Sequence, residues 1–154
     1  MKKIFTVFFA LAFAFSVTGC KCGRVEPIKL EEAQYGEGKI EYLETYDIIQ
    51  NKFNNDINFV FYMYGATCSG CHKFTPILKE YVEEAGINIY AIEVNQVLKG
   101  NPELAQTLEG TPSIGLVKEG ELHTFISGYV DGDADYFMDK EALKEWFEEN
   151  IIFE

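Results

Sequence analysis

Cys68 and Cys71, with two residues between them, stand at the point where the apolar pattern of this chain changes period. Before them, Ile57 to Tyr64 (INFVFYMY) is an almost continuous apolar and aromatic run, the pattern of a strand buried on both faces. Gly65-Ala66-Thr67 breaks that run. After it, Phe74, Ile77, Leu78, Tyr81 and Val82 recur at three- and four-residue steps, which predicts a helix from Cys68 to Ala85 closed by Gly86. Pro76 falls inside this helix and is expected to kink it.

A dithiol at a strand-to-helix joint has a specific chemical use. The unpaired backbone N–H groups at a helix start stabilise a thiolate. Cys68, at the very start, gains most from them and stays exposed, so it is the expected nucleophile. Cys71, one turn in, is shielded and close enough to resolve a mixed disulfide.

The rest of the chain supplies the frame. Ile40 and Tyr42 suggest a short strand, and Thr45 can cap a helix with Ile48, Ile49 and Phe53 on one face. Ile87 to Val94 reads as a second buried strand. Asn101-Pro102 opens a short helix carrying Leu104 and Leu108. Ser113 to Val117 and Leu122 to Ile126 flank Lys118-Glu119-Gly120-Glu121 as a hairpin. Asp139 caps a last helix with Leu143, Trp146 and Phe147 inward. The order β-α-β-α-β-α-β-β-α implies an α/β sandwich, with parallel pairing early in the sheet and antiparallel pairing late.

The N-terminal end reads as an address. Lys2 and Lys3 precede an apolar run from Ile4 to Val17, too short for a spanning helix of roughly 20 residues and suited to a secretory signal. It ends in Val17-Thr18-Gly19-Cys20, which resembles the bacterial lipoprotein signal, whose cysteine is lipidated and becomes the new N-terminus. Residues 1–19 are therefore expected to be a lipoprotein signal peptide, 20–39 a lipidated polar tether, and 40–154 the folded domain. The expected location is the extracytoplasmic face of a bacterial cell membrane, anchored through Cys20. Removing residues 1–19, which carry Lys2 and Lys3 and no acid, leaves 135 residues and takes the formal charge from −12 to −14. Such a surface argues against nucleic acid and against adhesion to anionic lipid. Of the four cysteines, Cys68 and Cys71 pair with each other, Cys20 goes to lipid, and Cys22 is left over.

With these residues in view, the sequence over about 40–150 resembles the thioredoxin superfamily. The resemblance is carried by the strand Phe59 to Tyr64, the Cys68-Ser69-Gly70-Cys71 turn, the Thr111-Pro112 step and Gly128 after the final strand. It implies a thioredoxin-like fold, a mixed central β-sheet flanked by helices. It also implies a cis peptide bond before Pro112, with Pro112 beside the dithiol and Thr111 docking substrate through its backbone. The chain is most similar to secreted thioredoxin-like accessory proteins of bacteria, including the bacteriocin-accessory type. The implied function is thiol–disulfide oxidoreductase, without cofactor, acting on disulfide- or thiol-containing extracytoplasmic proteins. The alternative is a non-catalytic accessory module for a secretion or surface system. Thr67 stands where the family has tryptophan. Tyr62 and Ala91 stand where it has a buried carboxylate and a lysine, so general reductase activity is expected to be weak unless Glu93 substitutes.

Other chemistries fit less well. Cys68-Ser69-Gly70-Cys71-His72 also spells the C-x-x-C-H of haem attachment, but that use needs neither the buried strand before it nor the Thr-Pro-strand after it. His72, four residues from Cys68, is a candidate modulator of its thiolate, alongside Thr67 and Glu93. A zinc site would need two more ligands, and nothing in the spacing of Cys22 or His123 recommends them. Asp131, Asp133 and Asp135 alternate like the start of a calcium loop, but Tyr136 and Ala142 stand where such a loop needs glycine and glutamate. No metal is expected.

Overall fold

The structure is a computed structural model that describes residues 25–153; the signal segment, Cys20 and Cys22 lie outside the described residues. Five strands form one sheet: β1 (Ile40–Leu43), β2 (Phe59–Tyr64), β3 (Ile89–Glu93), β4 (Ser113–Lys118) and β5 (Glu121–Ser127). Their spatial order is β1-β3-β2-β4-β5. β3 runs parallel to both β1 and β2, whereas β4 is antiparallel to β2 and to β5. This is the mixed α/β sheet the element order implied.

Strand β2 is central and reads on both faces. Phe59, Phe61 and Met63 point to one core, with Ile49 of α1 (Tyr46–Asn54), Val97 of α3 (Val94–Gly100) and Leu104 of α4 (Pro102–Thr107). Val60 and Tyr62 point to the other, with Phe74, Leu78 and Val82 of α2 (Ser69–Ala85) and Leu143, Trp146 and Phe147 of α5 (Lys140–Asn150). The period-2 alternation of a strand thus feeds two cores, which is why the run shows no polar alternation in sequence.

The local signals act as their chemistry suggests. Asn101 accepts the N–H of Leu104 through its side chain and Pro102 opens α4. Asp139 accepts the N–H groups of Glu141 and Ala142 at the start of α5. Gly86 closes α2 at φ 64°, the left-handed position that glycine takes without a Cβ clash.

Four expectations need correction. Residues 28–39 are no free tether: Ile28 and Leu30 are buried, and Ile28 exchanges backbone bonds with Asn150 and Ile152, both 2.8 Å. Gln34 is buried as well, and its side-chain oxygen accepts the N–H of Val60 at 3.1 Å. That N–H lies where β2 extends beyond its pairing with β3, which begins at Phe61. β3 stops at Glu93, not Val94, because Glu93 turns its carboxylate onto the N–H of Asn95 and starts α3, a helix the pattern did not announce. Ile48 is exposed, and Tyr46 takes its place in the core beside Ile49. Thr45 sits at the N-cap of α1 without a side-chain bond.

Candidate functional site

The dithiol lies where β2 hands over to α2. Gly65-Ala66-Thr67 turns the chain, and the N–H of Cys68 donates to the carbonyl of Gly65 at 3.1 Å. A Cβ at Gly65 would lie 3.2 Å from Cys68 Cβ and from Thr111 Oγ1, so this close approach suits glycine. Cys68 then takes the N-cap place, where an oxygen side chain is usual, and its Sγ accepts the N–H of Cys71 at 3.0 Å. In the reduced protein that N–H, with its helix dipole, favours negative charge on Cys68.

The two sulfurs are bonded to each other, with Cα atoms 5.2 Å apart. Their surroundings differ. Cys68 is partly exposed, whereas Cys71 is buried at 2% exposure. Cys68 Sγ lies 3.3 Å from the carbonyl oxygen of Thr111, a contact in the disulfide and a hydrogen bond once the sulfur carries a proton.

The Thr111–Pro112 bond is cis. Pro112 is held between two glycines: Cβ atoms built on Gly70 and Gly128 would come within 3.3 and 3.2 Å of its Cδ. The N–H of Gly128 donates to the carbonyl of Pro112 at 2.9 Å, fixing the turn after β5 against the start of β4. An open groove results, lined by Thr67, Cys68, Gly70, Thr111, Gly128 and Tyr129 among others. On the opposite side a more apolar hollow is lined by Tyr42, Tyr64, Cys71, His72 and Pro76.

The interior beneath Cys71 carries no charged pair. Tyr62 is fully buried, Ala91 likewise, and they are register partners. The hydroxyl of Thr75 donates to the carbonyl of Cys71 at 2.8 Å, and the Tyr62 hydroxyl lies 3.2 Å from Thr75 Oγ1. Thr75 has one proton and gives it to Cys71, so Tyr62 is the donor in the second bond. Burial pushes the Tyr62 phenol up to about 12, which keeps it neutral as a donor.

The candidate modulators separate. Thr67 lines the Cys68 groove. His72 turns its Nε2 to the carbonyl of Ala66 at 3.1 Å, tying the first turn of α2 back to the 65–67 turn. It lies beside Cys71 in the second hollow. Glu93 turns both carboxylate oxygens to Asn95, at 2.9 and 2.8 Å, and, after burial, its charge helps to raise the phenol of Tyr64, which lines the hollow beside Cys71. In the 131–135 loop, Asp133 accepts the N–H of Ser127 at 3.0 Å and so shapes a turn. Sequence reasoning missed Gly65, Thr75 and Tyr129. Thr75 lies four residues after Cys71 and Gly65 three before Cys68, both readable local spacings; Tyr129 joins the site through tertiary approach.

No protein-family model matches this chain, and no curated protein matches it at a significant level. Solved structures do. A point mutant of a thioredoxin from Halobacterium salinarum is 20% identical, covers 76% of this chain and 95% of its own, and superposes with a TM-score of 0.54. Thioredoxin O2 from Arabidopsis thaliana, in its oxidised state, is 16% identical over 78% and 99%, with a TM-score of 0.55. A thioredoxin from Trypanosoma brucei brucei is 13% identical over 77% and 97%, with a TM-score of 0.51. At these identities the likeness is one of fold, and the chain has a thioredoxin-like fold.

Proposed function

We propose, from this fold and the bonded pair at its strand-to-helix joint, that the protein is a thiol–disulfide oxidoreductase working through Cys68 and Cys71. The observation that carries the reading is the asymmetry of the two sulfurs: Cys68 is accessible beside the Thr111 carbonyl, and Cys71 is buried one turn behind it. In the reducing direction, the Cys68 thiolate attacks a partner disulfide, forms a mixed disulfide and releases one partner thiolate. Cys71, once deprotonated, attacks Cys68 Sγ, restores the internal disulfide and releases the second partner thiol. Two electrons pass to the partner, and a dithiol reductant returns them.

The neutral pair Tyr62 and Ala91 offers no carboxylate at its own place to take the Cys71 proton. Reduction of a generic disulfide such as insulin is therefore expected to be slow. The same feature favours a second reading, an accessory thioredoxin-like lipoprotein that holds partners of a secretion or surface system without turnover. Trapping with Cys71→Ser tests both: mixed disulfides that dissolve on adding thiol support exchange, and an accessible Cys68 that captures nothing supports the binding module.

The location belongs to the same proposal. The Lys2-Lys3 start, the Ile4–Val17 run and Thr18-Gly19-Cys20 support lipid anchorage on the extracytoplasmic side of a bacterial membrane. No helix among the described residues is long and apolar enough to cross a membrane. Cys20→Ala is expected to release the protein from membranes or block its processing. A processed variant that still sediments with membranes refutes the anchor.

A further inference from the structure

Tyr129 is 69% exposed, yet it is not loose on the surface. Its ring lies against Gly110, where a Cβ would come within 2.8 Å of Cδ2, and its backbone N–H donates to Ser127 Oγ at 3.3 Å. The ring is thereby held at the edge of the Cys68 groove. An exposed aromatic face fixed beside a nucleophile contributes nothing to the core, and it offers a partner a contact surface.

The loops on either side of that ring are acidic. The two loops, 108–117 and 128–139, hold no lysine, arginine or histidine, and on the helix side an exposed cation, Lys73, stands three residues past Gly70. The loops carry exposed Glu109, directly before the Gly110 under the ring, and exposed Asp131, two residues after Tyr129. Lys140, the next cation along the chain, is bound to Glu80 and Glu84 of α2 at 2.6 and 2.7 Å. His72 is tied to Ala66 and belongs to the opposite hollow.

We infer that the Cys68 groove selects partner segments with a basic side chain next to the disulfide cysteine, the cation resting on the Tyr129 ring between Glu109 and Asp131. The inference rests on the oxidoreductase reading and adds its substrate class. A guanidinium over an aromatic face gains both from the ring and from the surrounding carboxylates, whereas an acidic neighbour meets repulsion. The covalent steps are those given above; only the approach of the partner is selected.

The test uses the pre-reduced protein in single turnover against short peptides, Ala-X-Cys-Ala, whose cysteine is a mixed disulfide with thionitrobenzoate. Cys68 and Cys71 become a disulfide, and the peptide and thionitrobenzoate leave as thiols. With X as Arg, Leu or Glu, the Arg peptide should react fastest and exceed the Glu peptide by at least about fivefold at low salt. Salt should narrow that ratio. Tyr129→Ala should lower the Arg-to-Leu ratio by about twofold to fivefold, and Tyr129→Phe should keep it. Because the readout is a ratio within one variant, general damage to the site does not produce it. An Arg-to-Leu ratio of one in the wild type, or one unmoved by Tyr129→Ala, overturns the inference while exchange itself stands. No reaction of the reduced protein with hydroxyethyl disulfide overturns the oxidoreductase reading and the inference with it.

Discussion

The two sides of the dithiol are built from different materials. On the Cys68 side the protein offers mainly backbone and small groups, the Thr111 carbonyl, Gly70, Gly128 and the ring edge of Pro112, with the Tyr129 ring at the margin. On the Cys71 side it offers side chains: Tyr42 and Tyr64 packed edge to face at 5.4 Å, with His72 and Pro76 beside them and the Tyr62–Thr75 chain of hydroxyls beneath. An open wall of peptide groups can receive an extended partner, since peptide groups of any sequence can hydrogen-bond to it. A wall of rings keeps water and reagents from the second sulfur. One sequence feature, a cysteine at the helix start and another one turn later, therefore yields two sulfurs with unlike tasks.

The largest test of that division removes one sulfur at a time. Cys68→Ser is expected to take exchange with any disulfide to background. Cys71→Ser should keep the first attack and stall as a mixed disulfide, visible as a mobility shift on a non-reducing gel. Mixed disulfides from Cys68→Ser and none from Cys71→Ser would reverse the assignment.

The shielding on the Cys71 side depends on the core below it. Phe74 is fully buried, with its ring 5.6 Å from Tyr62 and 4.7 Å from Phe137. Phe74→Ala should lower stability by about 3–5 kcal/mol in urea unfolding and raise the alkylation rate of reduced Cys71. A destabilised variant in which Cys71 stays as unreactive as before would locate the shield elsewhere.

The open side is more sensitive to position than to packing. Gly65→Ala would force a Cβ into a gap of 3.2 Å beside both Cys68 and Thr111. We expect exchange to slow by about tenfold, since small displacements of reacting groups are costly in rate, with little change in melting temperature. The opposite pattern, lost stability at unchanged rate, would mean that the Cys68–Thr111 spacing does not govern exchange.

These elements were not equally legible in sequence. The strand at 59–64, the dithiol at the start of α2, the Asn101 and Asp139 caps and the hairpin all carry local signals, because each depends on residues within one or two turns of itself. Ile28, Leu30 and Gln34 were read as tether because a short apolar pair among polar residues has no period. What fixes them lies far along the chain: Ile28 bonds to Asn150 and Ile152, Gln34 accepts from Val60, and Ile28 and Leu30 pack into the core with Trp146 and Phe147. The cap that Glu93 makes was not readable, because its strand was visible and the helix it starts was not. Tyr129 left no local mark, since what makes it part of the site is Gly110, nineteen residues earlier.

A smaller test concerns the phenol under Cys71. Tyr62→Phe removes one donated hydrogen bond to Thr75 and should cost about 1 kcal/mol. Its pH dependence has a definite sign. The folded protein raises this phenol from 10.0 to about 12, so above pH 10 the native state keeps a proton that the unfolded chain releases. The stabilisation is complete below that pH and declines as pH rises toward 12. Tyr62→Phe should flatten part of that decline, with the rest shared by Tyr46, Tyr64 and Tyr81, whose phenols burial also pushes up, and by Lys140, held up by Glu80 and Glu84. An unchanged alkaline slope would mean that Tyr62 titrates as a solvent-exposed tyrosine.

The division between the two sulfurs is tested most directly by competition for one reagent. The fully reduced protein is treated with a limiting amount of iodoacetamide near neutral pH, and the modified cysteines are counted by mass spectrometry of its peptides. An exposed thiolate at the helix start and a buried thiol behind it predict modification of Cys68 at least about ten times faster than Cys71. Equal rates, or a faster Cys71, would contradict the account.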